Sequence, residues 1–228
     1  MATLPVLTID QEPISCRRVI LCEGGGDKNF FQQLIGARGL PDFYVTHPRQ
    51  EIDPGGRGGF TSRLRSLRLQ PGFEQVTGII VVSDNDADPN GSFGVVRSLI
   101  HDAEFKTPNH PARFIAGRPA VAVLMVPAEN ENGQLETLCL QAIRDAWPIQ
   151  FGCADTYAAC AGIADWTVSK QEKAKVRALI SHICRQDPNT SLSYLWHGNR
   201  EEVIPLSHHC FNRLADFLDG FDAAVAAL

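Results

Sequence analysis

Four short apolar runs, none of them alternating with polar residues, set the rhythm of this chain. Val19-Ile20-Leu21-Cys22, Ile79-Ile80-Val81-Val82 and Ala120-Val121-Ala122-Val123-Leu124-Met125-Val126 read as strands covered on both faces, as in a parallel sheet, and Phe43-Tyr44-Val45-Thr46 is a shorter one. Between them the apolar period changes from two to about 3.6. Phe30, Phe31, Leu34 and Ile35 form one stripe of a helix. The pattern predicts strands over 19–23, 43–46, 77–83 and 120–126, and helices over 27–38, 60–70, 92–104 and 133–146. Loops fall at the Gly-rich 54–59, through Gly91, and at the Pro- and His-bearing 106–119. Strands alternating with helices imply parallel pairing through right-handed crossovers. Residues 1–18 are a lead-in with room for an edge strand.

From residue 148 only helix and loop are predicted, so the chain divides into an α/β core over 1–147 and a helical extension over 148–228 packed on it. One helix covers 169–186, with Ser169 as cap, Glu172 three residues on, and Val176, Leu179, Ile180 and Ile183 as its apolar side. Another covers 207–219, where Leu214, Phe217 and Leu218 precede Gly220.

The 228 residues, 44% apolar with a net charge of −5, fit a folded α/β protein and not a disordered chain. The longest apolar run is far short of the roughly 20 residues of a membrane-spanning helix. No charged start, apolar core and small-residue cleavage site opens the sequence, so a cytoplasmic location is the expectation. Seven cysteines without a repeated spacing argue against a disulfide framework. His208-His209-Cys210 is the best local zinc grouping, but adjacent residues are expected to face different ways.

The chemistry lies where the strands end. Glu23 follows the first strand, and Asp84-Asn85-Asp86-Ala87-Asp88 follows the third. If these strands are neighbours, Glu23 and Asp84 leave the same carboxyl edge of the sheet, where open α/β sheets build their sites. Asp84 and Asp86, two apart in an extended segment, fall on one side. Carboxylates so crowded repel unless a proton or a divalent cation joins them, and an all-oxygen set suits Mg2+ or Mn2+. A calcium-hand loop begun at Asp84 needs Gly at its sixth position and Glu at its twelfth, where this chain has Pro89 and Val95. Gly24-Gly25-Gly26 lacks the spacing of either phosphate-binding glycine fingerprint and reads as a turn. That turn leaves Asp27 near Glu23, either as a further metal carboxylate or as the cap of the next helix.

Cys22-Glu23-Gly24-Gly25-Gly26-Asp27 with its following helix, together with the strand ending in Asp84-Asn85-Asp86, resembles the TOPRIM domain of topoisomerases, bacterial primases, ribosomal-RNA maturases and overcoming-lysogenization-defect nucleases. Pro54-Gly55-Gly56-Arg57-Gly58-Gly59-Phe60 and Gly133-Gln134-Leu135-Glu136 look like the small stand-alone members related to those nucleases. The resemblance covers roughly residues 16–180, and implies a Rossmann-like sheet in which Asp84 and Asp86 hold metal and Glu23 is a ligand or general base. By the same resemblance Glu136, with Asp27 and the more loosely placed Asp88, supplies further metal carboxylates, and one lysine near the metals stabilises the transition state. Lys173 is the candidate among Lys170, Lys173 and Lys175.

Arg57, Arg63, Arg65 and Arg68 concentrate positive charge in an acidic chain, and guanidinium forks suit nucleic-acid phosphates. The expected function is a metal-dependent nuclease acting on DNA ahead of RNA. Kinship adds an anti-phage role beside a separate ATPase chain, because no Walker sequence occurs here. Two other classes share the carboxylate set: a non-catalytic metal- or partner-binding module, and a primase-like nucleotidyl transferase. None of Tyr44, Tyr157 and Tyr194 stands in a context that suggests a topoisomerase-like nucleophile.

Overall fold

A computed structural model describes residues 13–48, 55–196 and 203–228. Four strands, β1 (Arg18–Leu21), β2 (Tyr44–Thr46), β3 (Gly78–Asp84) and β4 (Ala120–Val126), form one all-parallel sheet in the order β2-β1-β3-β4. The fold is α/β, with helices on both faces of the sheet. Most of the lead-in, and Pro54 of the Gly-rich stretch, lie outside the described residues.

Period-two geometry sorts each strand between two cores. Ile20, Cys22, Ile80, Val82, Leu124 and Val126 face α1 (Gly25–Arg38), α4 (Leu135–Ala146) and the helices of the extension. Val19, Leu21, Ile79, Val81, Val123 and Met125 face α2 (Phe60–Arg68) and α3 (Pro89–Asp102). Every residue of β4 is buried, which is why its sequence does not alternate. Beyond β4, Ile115 pairs antiparallel with Val121, so the 106–119 loop lies along that edge.

The extension holds α5 (Pro148–Cys160), α6 (Val168–Ile183), α7 (Leu192–Leu195), α8 (Asn212–Asp219) and α9 (Phe221–Ala226). It shares the first core: Phe30 of α1 meets Trp196 at 5.6 Å and Phe211 at 5.3 Å between ring centroids. Burial of one such aromatic is worth about 1.5–3 kcal/mol, so the extension is bound into the fold by the aromatic residues it contributes.

Several boundaries differ from the pattern, each for a local reason. Gly25 and Gly26 form the first turn of α1 rather than a loop, with extended Gly24 as its N-cap. Pro89 starts α3 three residues early, because Asp88 caps it and proline suits the first helical position. The cap of α6 is Thr167, whose Oγ1 accepts from the Lys170 amide at 3.5 Å, while Ser169 points to α4. The last predicted helix begins only at Asn212, after a single 3₁₀ turn over His209–Phe211.

Candidate functional site

β1 runs to β2 on one side of the sheet and β3 lies on the other, so the strand order reverses between β1 and β3. At such a reversal the loops leaving the two strands splay apart and open a crevice at their carboxyl ends. Glu23 and Asp84 stand at that crevice. A cleft of about 330 Å³ there is lined by Glu23, Asp27, Asp84, Glu136 and Lys173, with His47 from the end of β2.

Three of these carboxylates are held by one oxygen each. Glu23 Oε1 accepts from the Asp84 amide at 3.1 Å, the Ser83 hydroxyl at 2.5 Å and Arg57 Nε at 3.1 Å. Asp84 Oδ1 accepts from the Leu135 amide at 3.1 Å, at the N-terminus of α4 where helix dipole and free amides favour an anion. Asp27 Oδ2 accepts from the Gly24 amide at 3.0 Å, reaching back from the third helical position. Asp27 therefore has both roles left open by the sequence, supporting the helix start and lining the cleft. Among the described residues, Glu23 Oε2, Asp84 Oδ2 and Asp27 Oδ1 make no hydrogen bond.

Crowding shows in the acidities. Burial, then the charges of Glu23 and Glu136, pushes the Asp27 carboxyl up to about 7. Asp84 is raised well above the usual carboxylate range by burial, with Asp27, Glu23 and Glu136 adding to it. Burial also raises Glu136, against the opposing charge of Lys173. All-oxygen donors that resist joint ionisation fit Mg2+ or Mn2+, whose charge would relieve the repulsion.

Lys173 reaches the cleft because α6 is tied to the start of α4. Buried Gln134 donates through Nε2 to the Ser169 carbonyl at 2.9 Å and accepts from the Ser169 hydroxyl at 2.7 Å, while the Thr137 hydroxyl donates to Glu172 at 2.7 Å. The stretch Gly133-Gln134-Leu135-Glu136 thus supplies one lining carboxylate and the anchor of the lysine helix. Its Gly133, at φ +131°, exchanges backbone hydrogen bonds of 2.7 and 2.8 Å with Asp86. A Cβ there would also lie 2.5 Å from Thr137 Oγ1.

Other expected residues lie elsewhere. Asp86, at φ 52°, turns to the rim, where its side chain is 53% exposed and accepts from Arg57 at 3.0 Å. Asp88 does not line the cleft: its Oδ1 accepts from the Gly91 amide at 3.0 Å as the cap of α3. Gly91 has to be small there, since a Cβ would meet the Asp88 carboxylate at 2.3 Å.

The four arginines do not make one phosphate-facing patch. Arg57 is turned inward, with Nη2 also donating to the Asp84 carbonyl at 2.6 Å and Nη1 to Ser92 at 3.2 Å. Arg63 is buried, bonded to the Thr46 hydroxyl, because its position on α2 faces the sheet. Arg65 donates to the Asp102 carbonyl at 2.6 Å, and Arg68 to Glu104 while lying 3.9 Å from the Phe105 ring centroid. The sequence shows the concentration of charge but not the direction of each side chain.

His208 and His209, expected to diverge, instead lie with ring centroids 4.2 Å apart. They meet where the backbone passes from extended His208 into the 3₁₀ turn that His209 begins, and Cys210 turns to the Leu138 carbonyl. Among the described residues it is these two and Asp145, rather than the cleft carboxylates, whose ligating atoms all fall within 4.8 Å of one another. His208 Nδ1 accepts from the Cys210 amide, so Nε2 carries the proton given to Asp145 at 2.9 Å. Both nitrogens of His208 are thereby engaged. His47 and Ser83 carry no motif in the sequence, and Gln134 is only the variable position of Gly133-Gln134-Leu135-Glu136; the fold identifies all three as part of the site.

The family described as Protein of unknown function (DUF3226) matches this chain over residues 17–221, so the chain belongs to it. No curated protein and no solved structure matches the chain.

Proposed function

We propose that this chain is a metal-dependent phosphodiesterase of the TOPRIM type, hydrolysing DNA or RNA, with DNA the first substrate to try. One observation carries the reading: at the point where strand order reverses, Glu23, Asp27 and Asp84 are each fixed by one oxygen and leave the other unbonded in a cleft that also holds Glu136 and Lys173. Fixing a carboxylate by one oxygen costs nothing further when the second meets a ligand, which is the preorganisation that ion and phosphate binding need.

Asp84, with Glu23, Asp27 and Glu136, would hold Mg2+ or Mn2+, and Asp86 at the rim would join them. Such an ion, when bound, would offset charge on phosphoryl oxygens and lower the pKa of a water beside it. The chain supplies the remainder. Glu23 Oε2 is free to take a proton from water or to serve as a ligand, while Oε1 is held by three donors. Lys173 is a cation within the same cleft, suited to charge developing on the phosphate. Ser83 and Gln134 act through others, the first orienting Glu23 and the second fixing the helix of Lys173.

The direct test is incubation of purified protein with supercoiled plasmid, linear DNA and RNA in Mg2+, Mn2+ or EDTA, beside Asp84→Ala/Asp86→Ala. The expected result is cutting that requires metal and is abolished in the variant. No cutting of any substrate by wild type, with calorimetry still showing Mg2+ bound, would replace the enzyme with a metal-binding module.

A further inference from the structure

A second cleft, of about 700 Å³, opens between α5 and α6. Two of its lining residues are large aromatics left in solvent, Tyr157 at 56% and Trp166 at 49% exposure. Arg177 and His182 also line it, and the described lining contains no Asp or Glu. The cleft therefore offers π faces and positive charge without the repulsion that an anionic ligand would meet in the carboxylate site.

Helix geometry links the two clefts. At about 100° per residue, Lys170, Lys173 and Arg177 fall within about 60° of one another on α6, spaced by about 4.5 and 6 Å along its axis. Lys173 lines the carboxylate cleft and Arg177 the second one, so a cationic ridge runs from one to the other. Lys175 stands outside this ridge, on the flank toward α5, and is paired with Asp155 at 2.8 Å.

We propose that the α5/α6 cleft binds single-stranded nucleic acid, with bases stacked on Tyr157 and Trp166 and phosphates following Arg177 to Lys173 at the carboxylate site, Lys170 extending the same ridge beyond it. The choice of ligand rests on the phosphodiesterase reading; the aromatics choose the strandedness. A duplex hides its base faces in the stack and cannot use them, whereas an unpaired strand gives each aromatic a partner whatever its sequence.

The test is fluorescence anisotropy of a labelled oligothymidylate and of a duplex of equal length, in EDTA, with the full chain. Wild type is expected to bind the single strand in preference to the duplex. Tyr157→Ala/Trp166→Ala should weaken single-strand binding about tenfold or more, and Arg177→Ala should reduce the slope of log affinity against log salt by about 0.7. All three side chains are exposed, and thermal melts matching wild type are required of each variant as the check that it is folded. Aromatic variants that bind as tightly as wild type, a preference for duplex, or no binding by wild type would each overturn the proposal. So would a wild type that ignores nucleic acid but self-associates in sedimentation through these two aromatics, which would make the cleft a protein-docking face. The two readings separate in a cutting assay. Single-strand binding lost with the aromatics, but no hydrolysis in Mg2+ or Mn2+, keeps the cleft and removes the nuclease; metal-dependent hydrolysis indifferent to the aromatic variant does the reverse.

Discussion

Arg57 places its guanidinium between Glu23 and Asp86, so two carboxylates of the proposed metal site share one internal counter-charge. Its side chain is only 17% exposed, and the attraction is correspondingly less screened than in a surface pair. A cation arriving at Glu23 competes with this guanidinium. Arg57→Ala is therefore expected to bind Mg2+ about tenfold more tightly, a change of about 1.4 kcal/mol that is modest beside the Coulomb energy of a neighbouring unit charge. The same substitution should destabilise the metal-free protein by about 1–3 kcal/mol, since charge-assisted hydrogen bonds are lost. Calorimetric titration with Mg2+ and denaturant unfolding measure the two effects. Unchanged Mg2+ affinity would mean that Arg57 and the ion do not share a place. Arg63 shows the limit of reading charge from sequence. An arginine that bonds the Thr46 hydroxyl beneath the sheet looks, in the chain, like any arginine awaiting phosphate.

The loop from β3 to α3 tests whether an aspartate in an acidic run is a ligand or a cap. Asp88 satisfies the Gly91 amide, one of the donors every helix start leaves without a partner. Asp88→Ala should cost about 0.5–2 kcal/mol, Asp88→Asn much less, and neither should alter Mg2+ affinity. Urea unfolding beside calorimetry decides it, and a loss of metal binding in Asp88→Asn would return Asp88 to the ligand set. At this scale the sequence was most legible where tertiary environment was uniform. Strands buried on both faces announce themselves as apolar runs, and β4 matches its expected span residue for residue. Placing Glu23 and Asp84 at one crevice needed only that β1 and β3 be neighbours, and they are. Helix starts were less legible, because Pro89 and Gly25 count as breakers in a window but as good first-turn residues once a cap precedes them. The α5 helix, whose Ile149 and Tyr157 face outward, has no apolar stripe to predict it by. The meeting of Lys173 with Glu136 depends on Gln134 and Ser169, 35 residues apart, which no local pattern records.

Across the whole molecule, the carboxylate cleft sets a balance between protons, metal and stability. Asp27 titrates at about 7 in the folded chain, Asp84 and Glu136 are also raised, and in the unfolded chain all three return to about 4. Between those values the folded state holds protons that the unfolded state has released. The sign follows: what these groups contribute to stability is fully present below about pH 4 and is lost as pH rises through their folded values. In EDTA the midpoint of thermal unfolding should therefore be lower at about pH 8 than at about pH 5.5. Mg2+ opposes this by binding only the folded cleft. At a free concentration of about 100 Kd it adds about 2.7 kcal/mol, or about 5–11 °C for a chain of this size. The increment should be larger at the higher pH, because protons no longer compete for the same oxygens. Asp84→Asn, which removes a buried charge from the cluster, should raise the metal-free midpoint at high pH and lose most of the Mg2+ increment. Scanning calorimetry of both proteins at the two pH values, with Mg2+ or EDTA, measures all of these terms together. A wild-type midpoint that climbs with pH in EDTA would show that the cleft carboxyls do not hold protons in the folded state, and a Mg2+ increment that survives Asp84→Asn would show that the carboxylates at the strand reversal are not where the ion binds.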